Sequence, residues 1–368
     1  MKEEINAEDK EFLLDDPEFE KLEIVVDPGQ NPIRIDQFIF DRLSQVSRNK
    51  IQNAIIAGLI TVNDKPTKAN YKIRPKDILQ IVFPKPQHSE DITPENIPLH
   101  IIYEDDDLMI VNKEPGMVVH PAVGNYTGTL VNALAYYFNQ ESSKSNNDRY
   151  GLVHRIDKET SGLLVVAKNE FAVAHISKQF FDHSIEREYV ALVWGEPSES
   201  EGTITGNIGR DPKQRQRMYV FEDGLEGKHA VTHYELLESF YYTSLIKCKL
   251  ETGRTHQIRV HLKHIGHTLF NDEKYGGDRI QKGTIYSKYK QFVQNCYKIM
   301  PRFALHARSI GLIHPRTLKK LNFEIDIPND FQVLLSKWRN YSIYRKDIIA
   351  EDEKDDSNSM EKINNIND

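Results

Sequence analysis

The chain has 368 residues, 39% of them hydrophobic and 28% charged, a globular composition with length enough for two domains and a large core. No apolar run approaches the roughly 18 residues a membrane helix needs. The acidic N-terminus lacks the apolar stretch of a signal peptide, so a cytoplasmic protein without membrane contact is expected. Cys248 and Cys296 are the only two cysteines, too few for a disulfide framework or a Cys-based zinc site.

The net charge of −7 is unevenly spread. Residues 1–20 carry −7 and residues 351–368 carry −5, which leaves +5 on 21–350. Acidic ends of this kind are expected to be solvated and disordered, and they are set apart as 1–23 and 346–368. A mildly basic body permits a polyanionic partner without demanding one.

A first unit is expected over 24–86. In "IDQFIFDRLSQV", Ile35, Phe38, Ile39, Leu43 and Val46 recur at helical spacing, with Asp36 near the start. Ser47 is a candidate N-cap for a second helix, "RNKIQNAIIA", with Ile51, Ile55 and Ile56 inward and Gly58 at its end. "LITVNDKPTKA" predicts a strand entering a turn, and "DILQIVF" another strand. Residues 32–86 hold ten Lys or Arg against four acids. Arg34, Arg48, Lys50, Lys65 and Arg74 are candidates for phosphate contact, against the plain alternative of a solvated basic face. Polar, proline-rich sequence then predicts a linker, taken as 87–97.

From 98 to about 345, strand-like runs alternate with short helical ones. There is no internal repeat and no glycine-rich phosphate loop, which argues against nucleotide-dependent chemistry. "GLVHRIDKETSGLLVVAK" sets charged residues between Leu152-Val153 and Leu163-Leu164-Val165-Val166, both expected as buried strand. A carboxylate there, Asp157, would be held by rigid elements yet reachable from outside. Taken alone, such an Asp more often caps a turn. Arg155 is not assumed to be its partner, because strand neighbours alternate in direction.

In "REYVALVWG", alternation puts Tyr189, Ala191 and Val193 on one face and Val190, Leu192 and Trp194 on the other. A strand Tyr usually packs in a core, but one facing a pocket can stack on a base. "GRDPKQRQRMYV" gathers cations, Arg215 and Arg217 among them, in a loop that is either solvated or tracks a backbone. "LETGRTHQIRVHLKHIGH" predicts a helix with Thr255 as N-cap, a stripe of Ile258, Leu262 and Ile265, and Gly266 as its stop. Arg254 and Arg259 fall at its start, where backbone N–H groups also favour anions. Histidines 256, 261, 264 and 267 lack any metal-binding spacing or Cys partner, so no metal site is assigned.

These stretches, with "RFALHARSIGLIHP", resemble the RluA/RluD family of RNA pseudouridine synthases in the family's order over nearly all of 24–340. The basic N-terminal unit resembles an S4 RNA-binding domain. The resemblance implies an α+β fold with a mixed, largely antiparallel sheet in the catalytic domain at 98–345. It implies Asp157 as the catalytic carboxylate and Tyr189 as the catalytic tyrosine that stacks on the target uracil and is a candidate base. Arg259 would ion-pair with the aspartate, and Arg155 would help occupy the space left by a flipped nucleotide. Leu312 is implied as an apolar residue near the pocket. His154, Arg254 and His256, from the same motifs, are expected at the substrate.

Three departures from the family pattern stand out: Ile156 for the usual Leu, the Pro of "NKEPGMVVHP" one position late, and Asn271 where glycine is common.

The implied reaction isomerises uridine in structured RNA, most readily large-subunit (23S) ribosomal RNA in a precursor particle, with transfer RNA an alternative. No cofactor is expected, and a monomer is the default. One rival is a non-catalytic RNA-binding factor of ribosome assembly. Another is a hydrolase, using either the histidines with a metal or a second carboxylate such as Glu159 or Asp272 as a glycosidase would.

Overall fold

The computed structural model describes residues 19–43, 46–84, 92–122, 124–141, 151–283 and 286–344. The acidic ends, apart from 19–23, lie outside them. The N-terminal unit is a four-stranded antiparallel sheet of β1 (Phe19–Val25), β2 (Ile60–Val62), β3 (Lys65–Pro66) and β4 (Ile78–Pro84), in the order β1-β4-β2-β3. Two helices, α1 (Ile35–Phe40) and α2 (Arg48–Ile56), pack on it.

The described part of the unit therefore reaches back to Phe19, ahead of the expected 24. "FEKLEIV" alternates so that half-buried Leu22 and Ile24 meet the core while its charges face outward. The first helix ends at Phe40 instead of running to Val46, and Leu43 and Val46 pack against the core from the turn beyond it. Ser47 caps α2 as expected, accepting from Lys50 N at 3.2 Å. Ile56 points out, 63% exposed, because the helix closes one residue later and Ile51, Ala54 and Ile55 complete its inner face. Asn63 and Asp64, at φ +51° and +63°, turn β2 into β3.

The second domain is one ten-stranded sheet. Its strands are β5 (Ile101–Glu104), β6 (Leu108–Lys113), β7 (Ser161–Ala167), β8 (Glu186–Trp194), β9 (Glu201–Arg210), β10 (Met218–Phe221), β11 (Lys228–Ser239), β12 (Thr243–Leu250), β13 (Leu305–Ile313) and β14 (Lys320–Glu324). The order is β10-β9-β11-β12-β8-β13-β7-β6-β5, with β14 beside β13. Only the β13–β7 pairing is parallel, so the expected mixed, mainly antiparallel α+β class holds. Helices α3 (Leu130–Glu141), α4 (Glu170–Phe181), α5 (Gln257–His264), α6 (Ser287–Ile299) and α7 (329–344) cover it.

β8 lies at the centre, and its alternation divides two cores. Tyr189, Ala191 and Val193 join one cluster with Ile156, Leu250, Ile258 and Leu305. Val190, Leu192 and Trp194 join another, with Phe270, Tyr289, Phe331 and Trp338. Leu152 and Val153 do not form the expected buried strand. Both are half-buried, and Leu152 makes only an isolated bridge to Val166.

The expected linker is shorter than drawn. Glu95 N donates to Asn132 O at 3.0 Å, and Asn132 Nδ2 donates to Thr93 O at 2.8 Å, so 93–95 belong to the second domain.

Candidate active site

A cavity of about 520 Å³ opens where β8, α5 and the loop 153–160 meet. That volume suits a single small ligand rather than a duplex. Asp157, Tyr189 and Arg259 line it together, although they lie far apart in the chain.

Each is brought there by a distinct device. Asp157 sits in the loop before β7, and buried cations fix that loop at two successive carbonyls. Lys113 Nζ donates to Lys158 O at 3.0 Å, and also to Glu114 O and Met117 O at 2.8 and 2.9 Å. Arg302 Nη1 donates to Glu159 O at 2.9 Å while its Nε pairs with Asp330 at 2.9 Å. Burial draws the Lys113 ammonium down to about 7.

Tyr189 faces the cavity from the centre of β8, only 6% exposed, and burial raises its phenol so that it stays protonated at neutral pH. Arg259 lies in the first turn of α5. The helix is capped not by Thr255 but by His256, in the left-handed conformation at φ +54° and without a capping side-chain bond. Gln257 holds this corner instead. It accepts from Thr252 Oγ1 and Arg254 N at 2.8 and 2.9 Å and donates to Val231 O at 2.9 Å.

Arg259 links two carboxylates. Its Nη1 donates to Asp157 Oδ2 at 2.9 Å, while Nε and Nη2 grip Asp272 at 2.7 and 2.9 Å. Asp272 is fully buried, whereas the Asp157 side chain keeps 22% exposure toward the cavity. Phe303 and Tyr275 flank the guanidinium, their ring centroids 4.2 and 5.0 Å from its carbon. Burial draws the Asp157 carboxyl up. The charges of Arg259 and Arg155, with the Arg259 hydrogen bond, more than reverse this and hold it below its ordinary value, at about 2. Burial and Arg259 keep His256 itself neutral, so Arg259 is the cation that holds Asp157 ionised.

Arg155, Arg254, His154 and His256 all line the same cavity. His256 shares a 2.8 Å hydrogen bond with the Tyr275 hydroxyl. His154 is buried and its Nε2 accepts from Val165 N at 3.0 Å, so it also braces β7. Leu312 is the exception. It is 2% exposed in the core formed with Leu108, Ile110 and Val165, and it does not line the cavity. Leu305, seven residues earlier on β13, does. Between them β13 shifts register against β8, between Ala307 and Ser309, so the strand beyond it packs Leu312 into a different core.

Of the basic candidates, Arg34 and Arg48 are half-exposed and share Asp36, at 2.9 and 3.3 Å. Lys50 Nζ lies 5.6 Å from the Phe83 ring centroid. Lys65 and Arg74 are exposed. Arg215 and Arg217 lie in the β9–β10 turn, where Arg210 Nη1 donates to Arg215 O at 2.9 Å, away from the cavity lining.

The four histidines of the α5 region have four different partners: the Tyr275 hydroxyl, Thr232 Oγ1, Glu222 and Trp194 O. Glu159 and Asp272 do not line the cavity, so neither stands as a second carboxylate facing a ligand. Asn271 adopts φ +60°, which Asn tolerates better than other side chains.

Comparison with known proteins shows the family. A family model described as RNA pseudouridylate synthase matches residues 107–264, and an S4 domain model matches residues 33–79. An RNA pseudouridine synthase of Chlorobaculum parvum is 44% identical over 313 residues, covering 84% of this chain and 95% of its own. The ribosomal large subunit pseudouridine synthase D of Zymomonas mobilis is 42% identical over 306 residues, covering 82% and 92%. The solved structure of human RNA pseudouridylate synthase domain containing 4 shares the fold, with a TM-score of 0.51 at 24% identity, covering 65% of this chain and 93% of that one. The chain belongs to the RNA pseudouridine synthase family, enzymes of the isomerase class, and carries an S4 domain ahead of its catalytic domain.

Proposed function

We propose that this enzyme isomerises uridine in large-subunit ribosomal RNA, with Asp157 as its catalytic carboxylate and the target nucleotide flipped into the cavity. The observation that carries the reading is the ion pair of Asp157 and Arg259 in a cavity also lined by Tyr189. The ribosomal substrate is supported by the name of the Zymomonas relative and by the S4 domain.

The reaction breaks the N1–C1′ bond, turns the uracil and joins C5 to C1′. A proton leaves C5 and one is taken up at N1, with no redox change and no group lost. A carboxylate kept ionised and aimed by a buried arginine is suited to act on the sugar, either at C1′ or by drawing a proton from it. The Tyr189 ring offers a stacking face for the turned base, and the phenol hydroxyl remains a proton donor. Extracting the nucleotide from structured RNA costs about a few kcal/mol, which phosphate contacts around the cavity and on the S4 domain offset. Arg155 occupies the place the base vacates. A monomer acting on a ribosomal precursor particle suffices, since the residues named come from one chain.

Asp157→Asn is expected to abolish pseudouridine formation with RNA binding largely intact. Pseudouridine mapping in ribosomal RNA from cells carrying either form tests it. Full modification by the Asn variant would sink the assignment of Asp157.

A further inference from the structure

Arg187 lies two residues before Tyr189 on β8, on the same strand face, and lines the same cavity. It is 8% exposed, and among the described residues no carboxylate pairs with it. Its Nη2 reaches the Glu251 carbonyl only at 3.4 Å, and its Nε is buried without any hydrogen-bond partner. A second orphan lines the same cavity. His154 Nε2 accepts from Val165 N, which places the ring proton on Nδ1, and Nδ1 is buried and unpartnered.

Both side chains rest on Phe180. The His154 ring stacks at 4.7 Å between centroids, and the Arg187 guanidinium carbon is 5.3 Å from the Phe180 centroid. Burial, reinforced by the Arg187 charge, holds His154 neutral at about 3, so Arg187 is the cation of the pair. A buried guanidinium with no anion is costly, and two orphaned donors resting on one ring need an acceptor. The space for Arg187 is kept by a glycine: a Cβ at Gly253 would stand 2.9 Å from Nη1.

We propose that Arg187 Nε and His154 Nδ1 form a phosphate-oxygen site that holds a phosphodiester adjoining the nucleotide in the cavity. The proposal rests on the RNA reading above. Two strand residues lie about 6.6 Å apart, a step that sets this phosphate beside a base stacked on Tyr189. The cation fixes the backbone while Asp157 and Tyr189 address the nucleoside, which separates positioning from chemistry.

The test is binding of the full chain to a labelled, uridine-containing single-stranded RNA across a salt series. Arg187→Met is expected to lower the slope of log affinity against log salt by about 0.7, the value of one lost single-strand phosphate contact. Arg187→Lys should keep the slope. Gly253→Ala should weaken binding while the cation remains, because its Cβ displaces the guanidinium. One methylphosphonate in place of the contacted phosphate should weaken the wild type and leave Arg187→Met unchanged.

A folded Arg187→Met protein with the wild-type slope overturns the site. If that variant does not fold, wild-type affinity in Gly253→Ala overturns it. Asp157→Asn should leave the slope untouched. A wild type that binds with the full slope but converts no uridine therefore sinks the reaction proposed above and spares the phosphate site.

Discussion

Arg259 is gripped from two sides by carboxylates of unequal exposure, and the difference divides their work. Asp157 faces the cavity, while Asp272 is enclosed and fixes both the angle and the charge of the guanidinium. Breaking a buried pair leaves an uncompensated charge, so Asp272→Ala is expected to lower stability by about 3–5 kcal/mol in urea unfolding. Asp272→Asn keeps the shape and one acceptor. Losing a charge-assisted bond is worth about 1.5–3 kcal/mol, so kcat should fall about 10–100-fold with KM little changed. Unaltered kcat would show that Arg259 needs no second anchor. The pH profile follows from the same triad. Asp157 is held at about 2, below its ordinary value. Its ionised form therefore favours folding above the ordinary carboxylate range, and that contribution is lost as pH falls toward 2. The profile of kcat/KM should show no acid limb from this group above about pH 4, and Arg259→Gln should move the limb upward. A limb already near neutrality in the wild type would contradict an ionised resting Asp157.

At the level of elements, the loop bearing Asp157 depends on the register of β7 against β13. Gly162 sits there at φ +116°, and a Cβ would lie 2.2 Å from the Ala307 carbonyl oxygen. Gly162→Ala should destabilise the fold by roughly 3 kcal/mol or more, read as a fall in Tm. A wild-type Tm would mean that this pairing yields easily. Such pairing shows why parts of the architecture were legible and others were not. Alternation in "REYVALVWG" disclosed both faces of β8, and the stripe Ile258–Leu262 disclosed α5, because local periodicity records which side is buried. β1 was hidden because its alternation is embedded in an acidic run whose charge dominates the reading. The cap of α5 was misplaced because a left-handed His256 leaves no compositional trace. Asp157, Tyr189 and Arg259 were recognised through motif resemblance. Lys113, Arg302 and Arg187 were passed over, and Asp272 was weighed only as a rival's second carboxylate, because their importance lies in partners brought together only by folding, as with Arg302 and the Glu159 carbonyl. Leu312 was chosen in place of Leu305 because a motif gives order along a strand but not the register shift between Ala307 and Ser309, beyond which Leu312 packs into another core.

In the whole molecule, the S4 domain does more than supply a basic surface, because it touches the catalytic domain at the cavity. α2 packs on α4, Asn49 Nδ2 donates to Glu170 at 2.7 Å, and Ala174 of α4 is buried within the S4 core. Beyond this seam, Phe19 packs edge-on against Phe181 at 5.4 Å and Lys21 Nζ lies 4.9 Å from the same ring. Phe19 and Lys21 thereby line the cavity from the S4 side. On the proposed reaction, a docked S4 domain would hold RNA at a fixed distance from Asp157 and so raise the effective concentration of the target nucleotide there. Ala174→Arg puts a charge into the apolar seam and should undock the domain while leaving both cores whole. KM for structured RNA is then expected to rise at least about tenfold, with kcat at saturation nearly unchanged and a larger radius of gyration in solution scattering. An enlarged radius with wild-type KM would show that the S4 domain binds RNA independently of its place beside the cavity. A raised KM with no change in radius would place the defect in α4 itself.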